Sequence, residues 1–196
     1  MLTFDDSKSI SLKRESIILG IDPGTTVLGY GLIKTVGKEA QLLTMGVIHL
    51  HKLKDHGQKL ERIYSRCIQL IEEYHPDEMA IEAPFFGKNV QSMLKLGRAQ
   101  GVAIAASISK QVPYCEYAPR KIKQSITGSG NASKEQVASM LQSVLKIPGK
   151  DMPKELDATD GLAAALCHHF QLSSPLATAS KGGWKSFIKN NPDRIK

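Results

Sequence analysis

IILGIDPGTTVLGYG, residues 17–31, is the stretch from which the architecture of this chain is most readily inferred. Its first five residues are apolar and include three β-branched isoleucines, which is typical of a buried strand. They lead directly into Asp22 and the turn-forming pair Pro23-Gly24, and residues 27–33 are again strand-like. The stretch is predicted to form a β-hairpin that carries one carboxylate at its tip.

Asp22 is the residue of this hairpin that calls for an explanation. Removing a lone carboxylate from water is so costly that it persists only when it is hydrogen-bonded, paired with a cation or bound to a metal. This favours a chemical role for Asp22. An aspartate can also cap a turn through its own backbone, and the hairpin alone leaves that interpretation open.

Length and composition indicate one globular domain. The 196 residues are 41% hydrophobic and 23% charged, which excludes a wholly disordered chain. The three cysteines are far apart, so they indicate neither a disulfide framework nor a zinc site, and they fit a reducing cytoplasm. We find no signal-peptide pattern and no membrane-spanning apolar run. We therefore expect a cytoplasmic protein with a domain at residues 17–170, an N-terminal extension at residues 1–16 and a flexible basic tail at residues 171–196.

The positive charge of the chain is concentrated in its middle. The net charge of +7 is divided as −2 over residues 1–82, +8 over residues 83–150 and +1 over residues 151–196. A local excess of this kind is expected of a protein that binds a polyanion, because contacts to phosphates release counterions. Charge alone does not distinguish this from a solvated basic surface.

The next elements repeat the pattern of a strand that ends in an acid. Residues 41–50 are predicted to add a third strand, with Gly46 as a possible bulge, to an antiparallel meander. Apolar residues recur at intervals of three and four over residues 58–74, which predicts an amphipathic helix. Its buried face is predicted to consist of Leu60, Ile63, Tyr64, Cys67, Ile68 and Ile71. Residues 79–81 then form a short apolar strand that ends at Glu82, and Pro84 stops it.

The basic middle is predicted to contain three helices and a strand. In the helix at residues 89–110, Gly97, Gly101 and Ala105 leave one stripe bare, against which the sheet or a second copy of the chain could pack. A strand at residues 112–117 and a short helix at residues 120–127 follow. Ser133 and Gln136 form a capping-box pattern at the start of the next helix.

The final helix, from about residue 156, carries Asp157 and Asp160 on one face. Like charges at this spacing repel each other unless a cation lies between them. Acids at a helix N-terminus also have a simpler explanation, since they interact favourably with the helix dipole. For His168 and His169 we expect hydrogen-bonded or solvent-facing side chains and no catalytic role.

Four carboxylates and a basic middle together indicate a nuclease. Hard oxygen ligands select Mg²⁺, or Mn²⁺ in its place, over zinc. Two such ions can activate a water and stabilise the leaving 3′ oxygen of a phosphodiester. We therefore expect two ions per active site, held by four acids: Asp22, Glu82, Asp157 and Asp160.

These motifs also resemble those of the RuvC family of Holliday junction resolvases. The resemblance is carried by IDPG at residues 21–24, GYG at 29–31, AIE at 80–82, KLGRAQG at 95–101 and DATDGLAAALCH at 157–168. It implies an α/β, RNase H-like fold with a mixed five-stranded sheet, in which a three-strand antiparallel meander and parallel strands are flanked by helices. It also implies a homodimer, Mg²⁺-dependent paired nicking of four-way DNA junctions in recombination and repair, and RuvA and RuvB as partners.

The resemblance extends to individual residues. The four acids match the catalytic positions, although some relatives have His in place of Asp157. Phe85 matches an aromatic that enters the junction, and Lys123 and Lys134 match lysines near the DNA and the active site. We expect six DNA contacts in all: Phe85, Lys88, Arg120, Lys121, Lys123 and Lys134.

Three other functions are compatible with parts of the sequence. The run Asp22, Gly24, Thr25, Thr26 is similar to the phosphate-binding turn of sugar kinases and actin-like ATPases, but those enzymes need two such lobes. A non-catalytic junction-binding module would leave four acids repelling the DNA backbone. A ribonuclease of the same fold is the strongest enzymatic alternative, because recognition of a 2′-hydroxyl leaves no motif in the sequence.

Overall fold

A mixed five-stranded sheet with helices on both faces is found in the computed structural model, which describes residues 15–84 and 89–173. The strands are β1 (Glu15–Asp22), β2 (Val27–Val36), β3 (Glu39–His49), β4 (Glu78–Glu82) and β5 (Tyr114–Tyr117). The helices are α1 (His56–Tyr74), α2 (Val90–Ser109), α3 (Pro119–Thr127), α4 (Lys134–Val144) and α5 (Asp157–Leu172), with a short 3₁₀ turn at Gly149–Asp151.

The sheet has the topology expected from the sequence. Its strand order is β3-β2-β1-β4-β5. The first three strands pair as an antiparallel meander, whereas β4 pairs parallel to β1 and β5 pairs parallel to β4. The predicted combination of a meander and parallel strands is therefore confirmed.

Each face of the sheet has its own hydrophobic core. Because side chains alternate along a strand, Leu19 and Ile21 of β1 pack toward α1 and α2, while Ile18 packs toward α3, α4 and α5. The sheet is thus covered on both sides, which explains why β1 and β4 are almost continuously apolar.

The bulge predicted at Gly46 lies elsewhere. The register of β2 and β3 shifts between Leu32 and Ile33, whose partners are Thr44 and Leu42, so Leu43 is the extra residue. Gly46 pairs normally with Tyr30, and a β-carbon at residue 46 would lie 2.7 Å from the Tyr30 hydroxyl. The glycine therefore makes room for a ring.

Helix ends follow local sequence signals, and helix faces follow them less closely. Ser133 and Gln136 form both hydrogen bonds of the predicted capping box at α4. In α1 the predicted face includes Tyr64, which is 40% exposed, and omits Leu70, which is fully buried. The α1 face is rotated toward Leu70 because that residue points into the core shared with α2.

The stripe of small residues on α2 does not pack against the sheet. Ala99, Ala103 and Ala106 of this helix face the core. By contrast, a β-carbon at Gly97 or Gly101 would have no neighbour within 4 Å among the described residues. Of the two surfaces predicted to pack against this stripe, the sheet is thus excluded.

No helix in the described part of the chain is long and apolar enough to cross a membrane.

Candidate active site

Three glycines of β1 and β2 bring α5 directly against the backbone of the sheet. A β-carbon at Gly20 would lie 2.1 Å from the Gly161 carbonyl oxygen, and one at Gly31 would lie 2.5 Å from the Cα atom of Leu162. A β-carbon at Gly29 would lie 1.9 Å from the Asp157 carbonyl oxygen. Since such contacts are impossible for any other residue, the glycines fix where the first turns of α5 lie. This close approach places Asp157 and Asp160 beside the end of β1.

Asp22 and Glu82 lie side by side at one end of the sheet. Each is the last residue of its strand, and the two strands are parallel neighbours that pair through Ile21 and Ile81 one residue earlier. Neighbouring strands are about 4.8 Å apart, so the two carboxylates leave the sheet next to each other. Acids predicted from three separate segments of the sequence are therefore brought together.

Burial and mutual repulsion raise the pKa values of three acids in the cluster. Burial raises the pKa of the Asp22 carboxyl to about 7, and the nearby charges of Asp160 and Asp157 act in the same direction while Lys134 opposes them. Burial, followed by the charges of Asp22 and Asp160, raises the pKa of Glu82 to about 8, against the opposing effect of Lys134 and Lys123. Burial also raises the pKa of Asp160, although its ion pair with Lys134 opposes the change.

Lys134 is the cation at the centre of one half of this cluster. Its Nζ atom lies 2.9 Å from Oδ1 of Asp157 and 2.6 Å from Oδ2 of Asp160. Partial burial acts to lower the pKa of Lys134, but the bonds to Asp160 and Asp157 outweigh it and raise the pKa above its ordinary value. The repulsion predicted between these two aspartates is therefore relieved by a lysine.

The other predicted DNA contacts are placed at different distances from the acids. Lys123 lies close enough to lower the pKa of Glu82, and its Nζ donates to the Ala132 carbonyl at 2.9 Å. Lys121 is exposed on α3 beside Cys167, and the exposed Arg120 covers Gly130. Neither forms an ion pair with an acid of the cluster in the described residues. Phe85 and Lys88 lie outside the described residues.

A cavity of about 200 Å³ opens beside the two strand-end acids. It is lined by Asp22, Pro23, Glu82, Ala83, Pro84 and Leu96. The two carboxylates form no ion pair with any residue that the structure describes. Ionisation of these two carboxyl groups would leave uncompensated negative charge in the cavity, and a bound cation would neutralise it.

The donor set suits a hard divalent ion, but it is not closed around one. Carboxylate oxygens are the ligands that Mg²⁺ and Mn²⁺ prefer. In residues 15–84 and 89–173, no group of three or more acid, histidine or cysteine side chains is arranged closely enough to hold a metal ion. Lys134 lies between two of the four acids. Asp22 and Glu82 have no such partner and are the side chains most in need of a cation.

The two histidines of α5 form internal hydrogen bonds, as expected. His168 is buried, and its ring joins the Tyr117 hydroxyl at 2.7 Å to the Glu78 carboxylate at 2.8 Å. His169 contacts the Lys38 carbonyl at 3.1 Å. The bonds of His168 hold α5 to β4 and β5.

The close approach of α5 to the sheet was not predicted from the sequence. The glycines of two adjacent strands, β1 and β2, are the sequence feature that indicates it.

Comparison with known proteins agrees with this geometry. A sequence profile of the family described as crossover junction endodeoxyribonuclease RuvC matches residues 18–168. The protein of that name from Cytophaga hutchinsonii is 65% identical over 93% of this chain and 89% of the relative. The one from Porphyromonas gingivalis is 58% identical over 93% of this chain and 98% of the relative.

Solved structures give the same result. The structure of T. thermophilus RuvC in complex with Holliday junction substrate superposes with a TM-score of 0.74 at 31% identity, covering 81% of this chain and 95% of the other. The yeast mitochondrial Holliday junction resolvase shares the fold, with a TM-score of 0.60 at 15% identity over 92% of this chain and 88% of the other. The predicted RNase H-like fold is confirmed, and this chain belongs to the RuvC family of crossover junction endodeoxyribonucleases.

Proposed function

We propose that this protein resolves four-way DNA junctions by metal-dependent hydrolysis of phosphodiester bonds at the cluster of Asp22, Glu82, Asp157 and Asp160. The observation that carries the proposal is the convergence of four acids from β1, β4 and α5 at one end of the sheet. Burying so much like charge is costly, and clusters of this kind are typical of sites where the charge serves chemistry. Membership of the RuvC family specifies the substrate as a Holliday junction.

The residues best suited to hold Mg²⁺, or Mn²⁺ in its place, are Asp22, Glu82 and Asp160. Asp157 is the most exposed of the four acids. The Asp157 side chain is 43% exposed and that of Asp160 is 15% exposed. A pair of such ions would activate a water and stabilise the leaving 3′ oxygen. The protein itself supplies the rigid strand ends, the buried surroundings and the position of each carboxylate.

Lys134 and Lys123 are proposed to bring positive charge to the scissile phosphate. Lys134 is held between two acids and is 48% exposed, so part of its ammonium group remains open to a ligand. Lys123 is anchored on Ala132 and lies near Glu82 and Asp160. Arg120 and Lys121 are proposed to contact the DNA farther from the cut, and Phe85 and Lys88 are proposed as further DNA contacts.

We propose a homodimer formed through the stripe on α2. A four-way junction is two-fold symmetric, so paired nicks need two active sites related by the same symmetry. The exposed surface of α2 combines Gly97 and Gly101 with Leu94, 51% exposed, and Ile108, 59% exposed. Small residues flanked by exposed apolar ones allow two helices to approach closely. RuvA and RuvB are the further partners implied by the family.

One experiment tests the proposed function directly. The protein is incubated with Mg²⁺ and, in parallel, with a labelled four-way junction, a linear duplex and an RNA–DNA hybrid. We expect symmetric nicks in the junction and little cleavage of the other two. Preferential cleavage of the hybrid would instead identify a ribonuclease.

The proposed dimer is tested by sedimentation analysis. Gly101→Arg should shift the protein from dimer to monomer, and an unchanged dimer would place the interface elsewhere.

Substitution of the acids separates chemistry from binding. Asp22→Asn and Glu82→Gln should abolish cleavage and leave junction binding intact or tighter, because the negative charge that repels phosphates is removed. If folded variants failed both to bind and to cleave, these acids would be structural.

A further inference from the structure

A second cavity, of about 250 Å³, lies near the active site and is strongly basic. It is lined by Thr25, Thr26, Lys54, His56, Lys59 and Lys95. Its lysines come from three places: the segment before α1, the first turn of α1, and α2. No carboxylate lines it, and none of the three lysines forms an ion pair with a residue in the described part of the chain. The described part of the chain therefore leaves the positive charge of this cavity uncompensated.

His56 adds an independent sign of a missing partner. Its Nε2 atom is buried and has no hydrogen-bond partner within the described residues. Buried polar atoms are nearly always hydrogen-bonded, so an orphaned one calls for a ligand. The carboxylate of the adjacent Asp55 is engaged elsewhere, since it accepts from the backbone N–H of Gln58 at 3.0 Å.

One wall of the cavity, formed by Thr25, Thr26 and Lys59, is held by hydrogen bonds within the protein. Lys59 Nζ donates to the Thr25 carbonyl at 3.1 Å, and the Leu50 backbone N–H donates to the Thr26 carbonyl at 2.8 Å. Both carbonyls are thus held by the protein. Lys59 keeps two of its three ammonium donors for another acceptor.

The position of the cavity relates it to the cut. Thr25 is three residues from Asp22. At about 3.6 Å per residue, this limits the distance between their Cα atoms to about 11 Å. Lys95 is adjacent in sequence to Leu96, which lines the cavity of the strand-end acids. Lys123 and Lys134 belong to α3 and α4, on the opposite face of the sheet from α1 and α2. Basic groups therefore flank the acids from two sides.

From this arrangement we infer that the cavity binds one backbone phosphate of the cleaved strand, a short distance from the scissile phosphate. The inference rests on the proposed function, because it takes the strand to be DNA bound at the acid cluster. Because only three residues of chain separate the cavity wall from Asp22, we expect the bound phosphate to lie a few positions from the cut. Binding of this phosphate would determine which phosphodiester bond is placed at the acid cluster.

The test removes the charge of one phosphate at a time. Four-way junctions are prepared with a single neutral methylphosphonate linkage at successive positions on both sides of the cut. At one position, we expect the neutral linkage to lower kcat/KM of the wild-type protein about tenfold. In Lys95→Ala and Lys54→Ala the unmodified junction should already be cut more slowly, and the same neutral linkage should cost little more. The control Lys150→Ala, at an exposed lysine on the 3₁₀ turn, should retain the full penalty.

The outcomes are distinguishable from those that test the function. A penalty of the same size in wild type and Lys95→Ala at every position would overturn the inference, even if the junction is cut. If no junction is cut, the proposed function fails, while the inference can still be read from junction affinity in EDTA. His56 is tested with two variants. His56→Gln keeps a side-chain N–H donor and should preserve junction binding, whereas His56→Phe should weaken it. Equal losses of junction affinity in the two variants would contradict the role of His56.

Discussion

Replacing Glu82 with Gln should stabilise the metal-free protein at alkaline pH. Burial, with the charges of Asp22 and Asp160, raises the pKa of Glu82 from 4.5 to about 8. At about 1.36 kcal/mol for each pH unit, this corresponds to at most about 5 kcal/mol. Glutamine has nearly the same shape as a protonated glutamic acid and cannot ionise. It should therefore avoid the cost that the wild-type carboxylate imposes on the fold.

The sign follows from proton linkage. A carboxyl group whose pKa is higher in the folded state makes its full contribution to stability below its unfolded pKa and loses it as pH rises through the folded value. The free energy of unfolding of Glu82→Gln, relative to wild type, should be unaffected by this group below about pH 4.5. It should then rise by up to about 1.4 kcal/mol per pH unit and level off above about pH 8.

The assay is urea denaturation in EDTA, followed by far-UV circular dichroism at a series of pH values. The matched control is Glu61→Gln, on the exposed side of α1, for which we expect no such rise with pH. Adding Mg²⁺ should stabilise the wild type more than the variant, because the ion neutralises the same charge. A difference between Glu82→Gln and wild type that did not change with pH would refute the electrostatic account of this site.

Three further predictions concern DNA and packing. Lys123→Ala and Lys134→Ala should weaken junction binding and make the slope of log affinity against log salt shallower by about one for each phosphate that is no longer neutralised; an unchanged slope would place these lysines away from the DNA. Phe85→Ala should slow junction cleavage at least about tenfold with little change in Tm, because a ring that stacks on an unstacked base contributes about 1–3 kcal/mol, and normal cleavage would exclude that role. Gly31→Ala should lower the free energy of unfolding by about 1–3 kcal/mol or more, since its β-carbon would lie 2.5 Å from the Leu162 Cα atom, whereas Gly149→Ala, with its nearest neighbour at 3.6 Å, should not.

The sequence predicted the parts of the site that depend on local pattern. An apolar run followed by an acid identified Asp22 and Glu82 as residues at strand ends, and the structure places both there. The capping box located the start of α4 within one residue. These features depend on neighbours in the chain, so periodicity and turn residues are sufficient to find them.

Features that depend on contacts between distant segments were not predictable in this way. The bulge was misplaced because its position is set by the register of β2 on β3, and Gly46 is instead required by the Tyr30 ring. Glycines at regular spacing on α2 and alternating ones on the sheet look equally significant in sequence. Only the packing shows that Gly31 is covered by α5 and that Gly101 has no neighbour among the described residues.

The placement of Lys134 gives the acid cluster two unequal halves. The lysine neutralises much of the charge of Asp157 and Asp160, to which it is bonded at 2.9 and 2.6 Å. Asp22 and Glu82 have no ion-pair partner in the part of the chain that the structure describes, and burial raises the pKa of each to about 7 and about 8. We therefore propose that a divalent ion would bind first at the Asp22 and Glu82 half, where it would replace the protons that the raised pKa values favour. A second cation near Asp157 and Asp160 would have to compete with Lys134, so Lys134→Ala should strengthen binding of a second ion.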